Sequence, residues 1–95
     1  MEQPAEILIG MGWYSQKEWH KLKAVATDSN ALDDTYEDFL KNFAKARNLM
    51  KKQGKKTKKV RIIVSDLVNW CAEQKLPVDK KSRSAFVTHK LQSGE

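Results

Sequence analysis

The sequence predicts a mostly helical α+β fold, with about four helices and one or two short β-strands. Three observations carry this reading. Apolar residues recur at helical spacing from Leu32 through Tyr36, Phe39, Leu40 and Phe43 to Met50. The stretch "KKVRIIVS" (Lys58 to Ser65) is rich in β-branched residues and has the content of a strand. Helix-start signatures stand at Ser15, Ser65 and Asp79, each ahead of an apolar-periodic run.

Taken in order, "AEILI" (Ala5 to Ile9) reads as a short edge strand that "GMG" interrupts. In "WYSQKEW", Ser15 is the expected N-cap and Glu18 its capping-box partner, with Tyr14 stapled onto Trp19. Trp19, Leu22 and Val25 or Ala26 continue one apolar face, and Thr27 to Asn30 end that helix. The next helix is expected over Leu32 to Gln53. Asp33, Asp34, Glu37 and Asp38 crowd its first turns, while Lys45, Arg47, Lys51 and Lys52 crowd its last, which complements the helix macrodipole. Gly54 then suits a left-handed C-cap.

In the strand, Val60, Ile62 and Val64 share one face, and Lys59, Arg61 and Ile63 the other. A lone strand is unstable, so it needs Ala5 to Ile9 or a second chain beside it. Ser65 is the expected cap of a short helix, Asp66 to Gln74, with Leu67, Trp70 and Cys71 inward. "KLPVD" turns the chain, and Asp79 caps a last helix from Lys80 to Leu91. No repeat, linker or second hydrophobic unit is visible, so residues 1–95 read as a single small domain.

The stretch "VRIIVSDLVNWCAEQKLPVDKKSRSAFVTHKL" (Val60 to Leu91) resembles the C-terminal half of short uncharacterised bacterial proteins. Those run as a β-branched strand, an Asp-Leu, a Trp-Cys pair, then an Asp followed by Arg and an aromatic residue. The resemblance covers about a third of the chain. It implies a bacterial origin and a folded unit, and it brings no activity with it.

Composition narrows the function classes. With 40% apolar and 32% charged residues, the chain is globular rather than disordered. It has no apolar run near the roughly 20 residues of a membrane span, and no membrane partner is expected. The acidic start "MEQPAEILIGMG" does not match a secretory signal. A lone Cys71 cannot form an internal disulfide, which leaves the cytoplasm as the expected location.

Catalysis is poorly provided for. Cys71 could pair with His20 or His89 as nucleophile and base, but its place beside Trp70 on an apolar helix face suits an inert buried thiol. One Cys and two separated His give no metal-ligand spacing. "QGKKT" lacks the glycine and residue order of a phosphate-binding loop. The acidic group Asp33, Asp34, Glu37 and Asp38 is explained by the helix start. Neither an enzyme nor a cofactor is expected.

Charge is the informative feature. Residues 1–40 carry eight acids against three lysines, whereas residues 41–61 carry ten Lys/Arg and no acid. Within "KKQGKKTKKVR", Lys51, Lys52, Lys55, Lys56, Lys58, Lys59 and Arg61 form a cationic run that attracts phosphate through counterion release. Lysine dominates and no aromatic interleaves along the run, so base readout is not written there. The competing reading is a solvated loop joining a helix end to a strand. Lys80, Lys81 and Arg83 load the first turn of the last helix with cations that oppose its dipole, and are expected as helpers at an anion site.

The sequence therefore leads to a non-enzymatic binding domain whose segment 51–61 contacts an acidic partner, DNA or RNA ahead of acidic protein, without sequence readout. The alternative is a protein-interaction or homodimerisation module built on the edge of strand 60–64 and on Trp13 and Tyr14, should those aromatics project outward.

Overall fold

A computed structural model describes residues 8–93. In chain order these form β1 (Leu8–Trp13), α1 (Gln16–Val25), a 3-10 turn (Ser29–Ala31), α2 (Tyr36–Lys52), β2 (Lys56–Arg61), α3 (Val64–Gln74) and α4 (Lys80–Gln92). The two strands pair in parallel, in register from Leu8 opposite Lys56 to Trp13 opposite Arg61. Parallel pairing requires a long crossover, which α1 and α2 supply. The mostly helical α+β class expected from the sequence is the class observed.

Several boundaries differ from expectation, each for a physical reason. β1 does not stop at "GMG" but runs through it to Trp13. A Cβ at Gly10 would stand 2.8 Å from Val87 Cγ1, and one at Gly12 would stand 3.0 Å from Val87 Cγ2. The two glycines let α4 lie directly on the sheet, so here they mark close approach rather than a break. The expected start of this strand, Ala5 to Ile7, lies outside the described residues.

β2 ends at Arg61 rather than continuing to Ser65, although Ile62 N–H still donates to the Trp13 carbonyl at 2.9 Å. α3 starts at Val64, and Ser65 is not its cap. That role falls to Glu18, which is buried and accepts the Val64 N–H at 2.7 Å. Ser15 does cap α1, accepting from Glu18 N–H at 3.2 Å, but the Glu18 carboxylate is spent across the core. The expected inward set Val60, Ile62 and Val64 is buried in full, although Val64 arrives there as a helical residue.

α2 begins at Tyr36, capped by Thr35 accepting from Asp38 N–H at 3.1 Å, and not at Leu32. Asp33 and Asp34 precede the helix, and their carbonyls each accept from Lys23 Nζ at 3.1 Å. The far end matches expectation. Gly54 has φ +77°, Gly54 N–H donates to Lys51 and Lys55 N–H to Met50, a Schellman ending.

The core gathers on Phe39, whose ring stacks on Trp19 at 4.6 Å and meets Tyr14, Tyr36 and Phe43 within 6.0 Å. The Tyr14–Trp19 staple is formed at 6.1 Å. Leu22, Ile62, Leu67 and Cys71 are fully enclosed. Ala26 rather than Val25 completes the inner face of α1, and Leu40 and Leu49 of α2 are exposed. One buried donor, Trp19 Nε1, is left without a partner, at a cost of about 1–3 kcal/mol. Among the described residues no helix is long and apolar enough to cross a membrane.

Candidate functional site

The eleven residues of "KKQGKKTKKVR" are not a simple connection. Lys51 and Lys52 close α2, residues 53–55 turn, and Lys56 to Arg61 form β2. The segment is therefore held at both ends by backbone hydrogen bonds, which fix the backbone positions from which its cations project. The strand expected from Lys58 begins two residues earlier, at Lys56, and leaves residues 53–55 as the turn.

The turn folds the start of β2 back beside the second half of α2. Between them lies an open groove of about 680 Å³, lined by Arg47, Lys51, Lys55 and Lys56 around Leu8, Phe43, Ala44 and Thr57. No acid lines it. All four cations are exposed, while Phe43 is half-buried against the core. Arg47 was not among the residues singled out as a site in the sequence. The signal was present: Arg47 precedes Lys51 by four residues and so shares its helix face.

The strand period sorts the remaining cations. Thr57, Lys59 and Arg61 share a face with Ile9, Met11 and Trp13, whereas Lys56, Lys58 and Val60 share the other with Gly10 and Gly12. Lys59 Nζ stands 4.2 Å above the Trp13 ring. An aromatic therefore does interleave with the basic strand, across the sheet rather than along the chain. That arrangement was invisible while β1 was expected to stop at Ile9.

Lys80, Lys81 and Arg83 do not join this cluster. Leu91 and Val87 approach Gly10, whereas Arg83 and Tyr14 line one groove together, so α4 runs antiparallel to the strands. Its 13 residues carry Lys80 and Lys81 about 20 Å from the end that meets the start of β1. Arg83 is committed elsewhere. Its guanidinium grips Asp28 through two bonds of 2.7 and 3.1 Å, and Asp28 also accepts from Lys80 N–H at 3.0 Å. That grip holds the Asp28 carboxyl below its usual range. Of the cations at the α4 start, Arg83 is thereby answered by Asp28, while the helix start itself is capped by Asp79, which accepts from Ser82 N–H at 2.9 Å.

The aromatics expected at a protein interface divide. Tyr14 is 5% exposed, burial pushes its hydroxyl up to about 12, and it belongs to the core. Trp13 is half-buried. The expected edge of strand 60–64 is also corrected: only Val60 and Arg61 are strand, and Val60, Ile62 and Val64 are buried. The strand partner is β1 of the same chain.

Cys71 is buried, and burial pushes its thiol up. His89 lies against Trp70 and Phe86, at 5.7 and 6.3 Å between ring centres. Among the described residues no group of three or more His, Cys, Asp or Glu is placed to hold a metal. No family model, curated protein or solved structure matches the chain.

Proposed function

We propose that this chain is a non-enzymatic binding domain that grips the phosphate backbone of a nucleic acid in the groove between α2 and β2. The observation that carries the reading is the lining of that groove, where Arg47, Lys51, Lys55 and Lys56 converge from the end of α2, the turn and the start of β2. Two cations on α2, one in the Schellman turn and one on β2 project from a backbone that the turn holds in place. Such a backbone loses less conformational entropy on binding than a flexible loop would. Phosphate contacts of this kind position the partner and release counterions without reading its sequence.

Lys59 and Arg61 extend the cationic path along β2, whereas Arg83 is committed to Asp28 and Lys80 and Lys81 lie at the far end of α4, so the three are not part of the proposed site. The rival reading, a protein-interaction or homodimerisation module on the edge of strand 60–64 and on Trp13 and Tyr14, is less well supported, because the strand pairs with β1 and Tyr14 is buried.

A proton–nitrogen correlation titration with a short single strand, a duplex and an RNA tests the proposal. Amide shifts at Arg47, Lys51, Lys55 and Lys56, with little change at Lys81, are expected. Shifts confined to α4, or titration by polyglutamate as readily as by nucleic acid, would contradict it.

A further inference from the structure

We propose that the Trp13 ring is a stacking seat for a base, so that the nucleic acid this surface selects is single-stranded. The inference deepens the phosphate-grip reading and rests on it.

Thr57 lines the cationic groove, and it shares its strand face with Lys59, Arg61 and Trp13. One face therefore leads from the groove to the indole, over about 13 Å from Thr57 to Arg61. Both Lys59 and Arg61 are exposed along that path.

At its end, part of Trp13 packs on the core and is held in place. The ring remains partly exposed, and the ammonium of the exposed Lys59 stands over it, 4.2 Å from the ring centre. A ring side that admits Lys59 Nζ admits a flat group as well. The lysine has a flexible four-carbon stem, so its ammonium can leave the indole for a neighbouring phosphate when a base arrives.

The geometry discriminates between strands. A base can lie on an indole only with one of its own faces bare. In a duplex both faces are covered by stacked neighbours, and exposing one costs unstacking energy. Single-strand binding sites combine a cationic track with an aromatic platform in this way, and are tolerant of sequence because every base has a π-face.

Fluorescence anisotropy on the whole chain at low salt tests this, with an oligothymidylate of about eight nucleotides, an abasic oligomer of equal length, and the matching duplex. The parent should bind the oligothymidylate about tenfold more tightly than the abasic oligomer. Trp13→Leu should abolish that preference and leave abasic binding near the parent's, while Trp13→Phe should keep part of it. Equal affinity of the parent for the thymidine and abasic oligomers would overturn the inference while leaving the phosphate grip standing. Binding to none of the three probes would overturn both. The comparison of probes on the parent holds whether or not a Trp13 variant folds.

Discussion

Glu18 and Val64 lie forty-six residues apart, yet the Glu18 carboxylate accepts the Val64 N–H at 2.7 Å and thereby starts α3. Ile63, in the N-cap position, has no side chain able to do so. A buried acid from α1 thus replaces a local cap, and it ties the N-terminal helix to the point where β2 gives way to α3.

Replacing Glu18 by Ala should therefore cost about 2 kcal/mol, because it strands a buried backbone donor. Glu18→Gln should cost less, since an amide oxygen can still accept. Urea unfolding of the three proteins gives both values, and an Ala variant as stable as its parent would remove this contact from the account.

Stability should also fall in acid, for a reason tied to two residues. The Val64 N–H holds the Glu18 carboxyl below its ordinary 4.5, and the Arg83 guanidinium holds Asp28 below its ordinary 3.8. Both groups are easier to protonate in the unfolded chain. Their stabilisation is complete above the ordinary values and is lost as pH falls through the lowered, folded ones. Melting temperature against pH should show this decline below about pH 4, and Asp28→Asn should make it shallower.

Arg83 should matter to the fold and not to the ligand. Its side chain is 12% exposed and its two bonds to Asp28 need a planar fork. Arg83→Lys keeps the charge but breaks that geometry, and should cost about 1 kcal/mol. The same variant should leave nucleic-acid affinity and its salt dependence unchanged, in contrast to changes at Arg47 or Lys51.

The close approach of α4 to the sheet predicts a compensating pair. Gly10→Ala should cost about 1–3 kcal/mol by driving a methyl into Val87. Val87→Ala alone should cost a similar amount by leaving a void. The double variant should be more stable than the sum of the two predicts, which a double-mutant cycle measures directly.

Local signals marked most helix ends in the sequence, with Ser65 the exception, since α3 already begins at Val64. Ser15, Gly54 and Asp79 act where their residue types and spacing said they would. What the sequence could not display were relations across the fold. Glu18 looked like half of a capping box because nothing local reveals Val64 as its donor. Gly10 and Gly12 looked like a break because Val87 is far away in the chain. Arg83 looked available because Asp28 is fifty-five residues distant. The candidate site followed the same rule. Its lysines stood out as a run, but the groove depends on how the Schellman turn folds Lys55 and Lys56 back on Arg47 and Lys51, and the Trp13–Lys59 contact depends on strand register.

The central claim, a groove that grips phosphates by charge, is tested most directly by the salt dependence of binding to a single-stranded oligomer. With about five phosphates neutralised, log K against log salt should fall with a slope near −3.5. Changing Arg47, Lys51, Lys55 and Lys56 together to Gln should leave the fold intact, because all four are exposed, and should flatten that slope to about −1. A parent that binds no oligomer at low salt, or a four-Gln variant whose slope matches the parent's, would contradict the account.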